Sequence, residues 1–290
     1  MRCAVLGQPI GHSLSPALHT AAYAELGLDW TYVAREVASD ELEAFIDGLD
    51  ESWRGLSLTM PLKRVVVPLL DTLDDWSRLS GVVNTVLLGD GRRAGANTDV
   101  PGARAAVEES LAEVGSAVVL GGGATAASVL LALTELGLIS AQLLVRDPQR
   151  AEETVSVVRR HPRAPDITVT PIDRAERLQA DLVVSTVPAA AQSPALLAAC
   201  AEVPAVFEVV YEPWPTPLAA AAISSGRTLV TGLDLLVHQA ALQVELMTGS
   251  VVAVERLRAA ARTELERRAR DATGSSTGQQ ASGPATVEIP

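Results

Sequence analysis

Cysteine is scarce in this sequence, because Cys3 and Cys200 are the only two among 290 residues. They stand far apart and outside any CxxC spacing, which argues against a disulfide framework and against a thiolate metal site. We therefore expect no metal. The low cysteine content is typical of a protein that works in the reducing cytoplasm.

Positive charge is also in short supply. The chain has 23 lysines and arginines against 35 aspartates and glutamates, a formal net charge of −12. Nucleic acids and anionic membranes attract proteins through a basic field, which the chain as a whole lacks. Neither is an expected partner, although a small anion can still bind locally.

Long hydrophobic runs are absent as well. The first apolar stretch, Ala4 to Leu6, is too short for a signal peptide. Charged or turn residues interrupt every later stretch before it reaches membrane-spanning length. We therefore expect a soluble cytoplasmic protein whose partners are small molecules.

The sequence is rich in apolar residues arranged in short segments. A hydrophobic content of 48% over 290 residues favours two domains. In the first hundred residues, β-like runs such as CAVLG and WTYVAREV alternate with helical patterns, which implies parallel strands joined by crossover helices. The GDG between VVNTVLL and RAGANTD predicts a β-hairpin at one edge of the sheet.

A second alternating series begins at SAVVLGGG and contains six strand candidates, as expected for a doubly wound nucleotide-binding sheet. The predicted fold is therefore α/β with two domains. Residues 1–100 form a substrate-binding catalytic domain with a mostly parallel sheet, and residues 101–231 form a Rossmann-like domain. Helices in residues 232–270 return to the first domain. Residues 271–290, rich in Gly, Ser, Thr and Pro, predict a disordered tail.

A glycine loop opens the second series. Gly121, Gly123 and Ala126 form a G-x-G-x-x-A pattern directly after an apolar strand and before a helix, the context that a dinucleotide fingerprint requires. Glycines there let the backbone approach a pyrophosphate at the positive end of the helix. Without that context, the same pattern often serves only a tight turn.

The end of the next strand reads LLVRDPQRA. Arg146 and Arg150 could clamp the 2′-phosphate of NADP by charge-assisted hydrogen bonds. The structural alternative to such a clamp is that both arginines are solvated and pair with Asp147 and Glu153. Asp147 could also accept a hydrogen bond from a ribose hydroxyl, as an acidic residue does in NAD sites.

Small polar side chains follow the strands of the first half. GQPIGHSLSPALH carries Ser13 and Ser15 before a helix, SLTMPLK carries Lys63, and GVVNTV and GANTDVPG carry Asn84 and Asp99. Each has an ordinary explanation as a helix cap, a solvated lysine or a turn residue. Together they favour one ligand cleft, because open α/β sheets bind ligands at the carboxyl ends of their strands.

In their order along the chain, these segments resemble shikimate dehydrogenases. The matching segments are GQPIGHSLSPALH, SLTMPLK, GVVNTV, GANTDVPG, LGGGATAAS, VVYEPWPTPL and GLDLLVHQA. They span roughly residues 1 to 265, and such an ordered series is far more specific than any single motif.

The resemblance implies a role for each site residue. Lys63 and Asp99 would be the catalytic couple, with the lysine supplying or taking the proton that accompanies hydride transfer. The substrate contacts would be Ser13, Ser15 and Tyr211 to the carboxylate, and Thr59, Asn84, Asp99 and Gln239 to ring hydroxyls. The cofactor contacts would be Gly121, Gly123, Ala124, Ala126, Arg146, Arg150, Thr186 and Gly232. His12 and His19 would be structural.

The resemblance further implies reversible NADPH-dependent reduction of 3-dehydroshikimate to shikimate, by a monomer or homodimer. Where the family commonly has NRT at the cofactor end of the site, this chain has Val145, Arg146 and Asp147. NAD therefore stays an alternative cofactor, less favoured than NADP. An NAD-dependent quinate/shikimate dehydrogenase is the nearest alternative, although relatives that accept quinate often carry threonine where this chain has Ser15. A catalytically silent nucleotide-sensing protein on the same fold is the other alternative.

Overall fold

The structure, a computed structural model, describes the backbone of residues 1–277 and the side chains of residues 1–271. The first half of the chain builds one six-stranded sheet in the order β2-β1-β3-β5-β6-β4. Its strands are β1 (Arg2–Gly7), β2 (Thr31–Glu36), β3 (Trp53–Leu58), β4 (Thr72–Leu73), β5 (Thr85–Gly89) and β6 (Arg92–Ala96). β1 runs parallel to β2 and β3, and β4 runs parallel to β6. β5 is antiparallel to both of its neighbours.

The predicted hairpin is present between β5 and β6. Asp90 and Gly91 both have positive φ, 51° and 69°. A two-residue turn with positive φ at both positions matches the twist of the flanking strands, which is why the GDG signal was informative.

The helices of this half follow the strands and connect them. They are α1 (Ser15–Glu25), α2 (Leu42–Asp47), α3 (Leu62–Val65) and α4 (Asp75–Ser80), with a 3₁₀ turn at Val67–Leu69. α5 (Asp99–Glu108) then leads to the second sheet.

The second sheet confirms the doubly wound prediction. Its strands are β7 (Ser116–Leu120), β8 (Ser140–Val145), β9 (Asp166–Pro171), β10 (Leu182–Ser185), β11 (Ala205–Glu208) and β12 (Thr228–Thr231). All are parallel, in the order β12-β11-β10-β7-β8-β9, which is the strand order of a Rossmann fold. The connections contain α6 (Ala124–Glu135), α7 (Glu152–Arg159), α8 (Pro194–Ala199) and α9 (Pro217–Ser224), with 3₁₀ turns at Pro148–Ala151, Ile172–Arg174 and Ala189–Ala191.

Two long helices follow the second sheet and return to the first half. α10 (Gly232–Thr248) crosses α5 closely, since a Cβ on Gly102 would lie 2.9 Å from the Gln239 backbone nitrogen. Buried apolar residues of α10 and α11 (Val254–Thr277) share a core with Leu14 and Leu18 around α1. The domain boundaries at 100/101 and 231/232 stay a prediction.

The predicted tail differs in part. α11 continues through residues 271–277, which were expected to be disordered. Arg267 reaches both Glu264 and Asp271, three and four residues away, and such pairs stabilise a helix at this point. Residues 278–290 lie outside the described residues. Within the described part of the chain, no helix is both long enough and apolar enough to cross a membrane.

Candidate active site

One cavity between the two sheets brings the predicted substrate and catalytic residues together. It is lined by Ser13, Ser15, Thr59, Lys63, Asn84, Asp99, Tyr211 and Gln239. These residues come from both halves of the chain and from α10, so the cavity depends on the return of that helix.

Ser13 and Ser15 enter the cavity from the loop between β1 and α1. The Ser15 backbone N–H donates to the Ser13 hydroxyl oxygen at 3.3 Å, so Ser13 satisfies one of the free amides at the helix start. Ser15 is the first residue of α1, and Pro16 follows at a position where its missing N–H costs nothing. The serine pair therefore begins the helix and also faces the cavity.

Lys63 and Asp99 form an ion pair inside the cavity. Lys63 lies on α3, directly after β3, and its Nζ donates to Asp99 Oδ2 at 2.6 Å. Their side chains are 18% and 10% exposed. Lys63 is the only lysine in the chain. The pair combines a proton carrier with a partly buried counter-charge that orients it.

Asp99 is available to Lys63 because a neighbour caps its helix. The ordinary explanation of Asp99 as a helix cap does not apply, because α5 already begins at Asp99. The Asn97 Oδ1 accepts the backbone N–H of Asp99 at 2.9 Å and that of Val100 at 3.4 Å. The carboxylate of Asp99 is thereby left to the cavity.

Asn84 connects the pair to α10. Its Nδ2 donates to Asp99 Oδ1 at 2.8 Å and lies 3.4 Å from Gln239 Oε1. Its Oδ1 accepts the Thr98 backbone N–H at 2.9 Å. Asn84 is 2% exposed. These bonds hold the Asp99 carboxylate in one orientation, with one oxygen toward Asn84 and the other toward Lys63.

A second layer of polar residues, which includes Ser57 and Gln243 at the wall of the cavity, was missed by sequence reasoning. Gln243 accepts from Ser57 at 2.8 Å and donates to Thr85 at 2.9 Å. Tyr32 donates to Ser57 at 2.6 Å and stacks on His19, 4.0 Å between ring centroids. A possible signal was the polar Gln243 one helical turn after Gln239 on a helix that is otherwise largely apolar.

His19 belongs to this layer and is fully buried. Burial lowers its pKa from 6.5 to about 3, so the ring is neutral at pH 7 and serves the structure. His12 lines the cavity but is exposed. No cluster of three or more potential metal ligands occurs among the described residues.

Tyr211 reaches the cavity from the segment after β11. Burial and the neighbouring Glu212 carboxylate raise the pKa of Tyr211, which keeps its hydroxyl protonated. The start of the segment is held by Glu208, whose carboxylate accepts the Val210 backbone N–H at 3.1 Å and the Thr216 hydroxyl at 2.7 Å. Burial raises the pKa of Glu208.

A second cavity lies over the glycine loop. Gly121 has φ of 107°, and a Cβ there would lie 2.3 Å from the Thr186 hydroxyl oxygen. Gly123 precedes α6 without a side-chain cap and has open space around it. Free amides at the start of a twelve-residue helix suit an anionic phosphate. The site therefore fits a dinucleotide.

The two arginines lie at this second cavity, and both are exposed. Arg150 Nε is 3.9 Å from the Asp147 carboxylate, as the structural alternative expected. Glu153 pairs at 2.5 Å with Arg64, the residue after Lys63, so that part of the alternative is wrong. Both arginines are free to meet a phosphate without breaking a close pair.

Most of the predicted cofactor-binding residues line one of the two cavities, whereas Ala126 and Thr186 line neither. Gly121, Gly123 and Ala124 line the second cavity, whereas Gly232 lines the first. Ala126 is buried within α6, and the Thr186 hydroxyl donates to the Leu120 carbonyl beside Gly121. Thr125 lines the first cavity although it directly follows Ala124. The start of α6 therefore borders both cavities, which places them side by side.

Comparison with known proteins agrees with this arrangement. A family model for the shikimate dehydrogenase substrate binding domain matches residues 5–86, and one for the shikimate 5'-dehydrogenase C-terminal domain matches residues 232–262. A Synechococcus protein named shikimate dehydrogenase (NADP(+)) is 33% identical over 90% of this chain and 93% of its own length.

Solved structures agree as well. Shikimate dehydrogenase from Mycobacterium tuberculosis has a TM-score of 0.83 at 35% identity, covering 90% of this chain and 99% of its own. Shikimate 5-dehydrogenase from Thermus thermophilus, in complex with NADP(H) and shikimate, has a TM-score of 0.79 at 32% identity, covering 91% and 99%.

Proposed function

The chain belongs to the shikimate dehydrogenase family, and on this premise we propose that it catalyses the reversible NADPH-dependent reduction of 3-dehydroshikimate to shikimate. The observation that carries the proposal is the single cavity in which Lys63 and Asp99 pair at 2.6 Å among the other predicted substrate-binding residues. That arrangement suits a small polyhydroxylated carboxylate.

The substrate is held at two ends. Ser13, Ser15 and Tyr211 supply hydroxyl donors to its carboxylate, and the protonated state of Tyr211 suits that role. Ring hydroxyls lie among Thr59, Asn84, Asp99 and Gln239. Because Asn84 and Gln239 are already bonded to neighbours, they are oriented before the substrate arrives.

Lys63 moves the proton. A bound NADP would supply the acceptor for the hydride from the carbon of the oxidised hydroxyl, and NADPH would supply the hydride donor in the reverse direction. In oxidation, Lys63 Nζ accepts the proton of that hydroxyl, and in reduction its ammonium gives a proton to the nascent alkoxide. Asp99 keeps Nζ in place and balances its positive charge.

The residues around the start of α6 would hold the cofactor. Gly121, Gly123 and Ala124 admit its pyrophosphate, and Ala126 and Thr186 support the loop from behind. Arg146 and Arg150 meet the 2′-phosphate, which favours NADP over NAD. Gly232, at the first cavity, borders the end of the cofactor that reacts.

Other features belong to the same proposal. The substrate domain comprises residues 1–100 and 232–270, and the nucleotide domain comprises residues 101–231. The protein acts on small molecules as a monomer or homodimer in the cytoplasm. Its two cysteines, both buried and unpaired, suit that reducing compartment.

The test is an assay of four combinations, shikimate or quinate with NADP or NAD, followed by the absorbance of the reduced nicotinamide. Shikimate with NADP should give the highest kcat/KM. A preference for NAD together with turnover of quinate would identify a quinate/shikimate dehydrogenase instead. Absence of turnover in all four combinations would favour a silent nucleotide-sensing protein.

A further inference from the structure

In the loop that carries the two serines, the carbonyls of His12 and Ser13 accept no backbone hydrogen bond. In a tight turn, the carbonyls of His12 and Ser13 would accept the backbone N–H groups of the residues three positions on, Ser15 and Pro16. The Ser15 N–H instead goes to the Ser13 hydroxyl. Pro16 has no N–H to give. Both carbonyls therefore require a donor from elsewhere.

Arg268 is that donor. Its Nη1 donates to the His12 carbonyl at 2.8 Å, and its Nη2 donates to the Ser13 carbonyl at 2.9 Å. The planar guanidinium bridges two successive peptide groups, a geometry that a lysine cannot reproduce with a single nitrogen. The Ser13 backbone N–H is bonded as well, to the Ile10 carbonyl at 3.0 Å. Both sides of Ser13 are thus held.

The guanidinium is itself held in place. Glu264, one turn earlier on α11, accepts from Arg268 Nε at 2.8 Å. The side chain of Arg268 is 26% exposed, and its Nη1 lies 3.9 Å from the Glu212 carboxylate, next to Tyr211. Arg268 therefore stands between the two segments that bring hydroxyl groups to the substrate carboxylate.

We propose that Arg268 is a positioning residue of the substrate site, whose guanidinium holds Ser13 and Ser15 in the arrangement that binds the substrate carboxylate. This rests on the proposed function. Arg268 lies beyond residues 232–262, which the C-terminal family model matches, so the role comes from the contacts of α11 in this chain.

The neighbouring arginine provides a matched control. Arg267 pairs with the same Glu264 and with Asp271, and its side chain is 55% exposed. The hydrogen bonds of its guanidinium go to those two carboxylates. Arg268→Ala and Arg267→Ala remove the same charge from adjacent positions of one helix. The difference between their effects therefore measures the hydrogen bonds from Arg268 to the His12 and Ser13 carbonyls.

The experiment measures kcat and KM for shikimate and NADP in both variants and in Arg268→Lys, with shikimate binding by calorimetry. In Arg268→Ala, the KM and Kd of shikimate should rise about tenfold, because charge-assisted hydrogen bonds to the loop are lost. The KM of NADP should stay within about twofold. Arg268→Lys should recover part of the loss, and Arg267→Ala should resemble the unchanged protein.

The methyl ester of shikimate separates positioning from general loss of stability. If Arg268→Ala disturbs the binding of the substrate carboxylate, turnover of shikimate should fall much more than turnover of its ester. Partial unfolding would lower both alike. Equal losses for acid and ester, or equal effects of Arg267→Ala and Arg268→Ala, would overturn the proposal for Arg268 alone. An unchanged protein that neither binds nor oxidises shikimate would overturn the proposed function as well.

Discussion

Replacing Lys63 with methionine should abolish most of the turnover while leaving the substrate site formed. Methionine fills similar volume but carries no proton. Asp99 would keep its hydrogen bond from Asn84 at 2.8 Å, and its side chain is only 10% exposed, so its carboxylate should hold its position. The KM of shikimate should therefore change little compared with kcat.

The size of the loss follows from the role of the lysine. General acid–base catalysis contributes ~10² to 10⁴ in rate, which corresponds to about 3 to 5 kcal/mol of transition-state stabilisation. No second lysine can replace Lys63, because the chain has none. We expect kcat of Lys63→Met to fall by at least ~10².

Lys63→Arg separates charge from proton transfer. Arginine keeps the positive charge next to Asp99 but does not give up its proton in proteins. The kcat of Lys63→Arg should therefore fall as that of Lys63→Met does. Steady-state kinetics of shikimate oxidation with NADP measure both variants. If Lys63→Met kept most of its kcat, or if Lys63→Arg matched the unchanged protein, the assignment of proton transfer to Lys63 would be wrong.

Three further predictions concern the surroundings of this pair. Ser13→Ala should raise the KM of shikimate more than it lowers kcat, since its hydroxyl binds the substrate without reacting; an equal fall in kcat would contradict this. Replacing both Arg146 and Arg150 with glutamine should weaken the binding of NADP by a few kcal/mol at most and leave the binding of NAD nearly unchanged. Inhibition or dissociation constants measure both effects. Equal losses for the two cofactors would assign the arginines to the fold. Burial lowers the pKa of His19 from 6.5 to about 3, so the unfolded chain binds that proton first as the pH falls. The free energy of unfolding should therefore fall by about 2 kcal/mol from pH 6.5 to about pH 4.5. His19→Gln should remove that share of the pH dependence in denaturant unfolding, and an unchanged slope would refute the assignment.

The sheets could be predicted because their signals are local. Each strand of the second sheet is a short apolar run bounded by turn residues, and the hairpin at Asp90 and Gly91 has a two-residue signature. Parallel pairing and right-handed crossovers then leave few possible arrangements. Ser13 and Lys63 meet at one cavity because ligands bind at the carboxyl ends of parallel strands. Asn84 joins them because it lies just before β5, which runs antiparallel to β3.

The start of α5 could not be predicted in the same way. Asn97, Thr98 and Asp99 are consecutive polar residues, and any of them could cap a helix that contains Pro101. Which one caps it depends on the partners of the others: Asn97 bonds Asp99 and Val100, whereas the Asp99 carboxylate is drawn to Lys63 and Asn84. Those partners are known only from the folded chain.

Contacts between distant segments could not be predicted from the sequence either. Arg64 and Glu153 pair across the cleft, and Arg268 reaches back to the loop of Ser13. Arginine and glutamate are common on surfaces, so nothing in their local pattern distinguishes these from solvated side chains. Their partners depend on how the two sheets and α11 pack together.

The most direct test of the central claim is the transfer of deuterium. Shikimate labelled with deuterium at the carbon of the oxidised hydroxyl is incubated with the protein and NADP, and the nucleotide product is analysed by mass spectrometry. We expect the reduced nucleotide to carry the deuterium, and the labelled product to form far more slowly with Lys63→Met. Reduced nucleotide without deuterium, or no reduction of NADP by the unchanged protein, would contradict it.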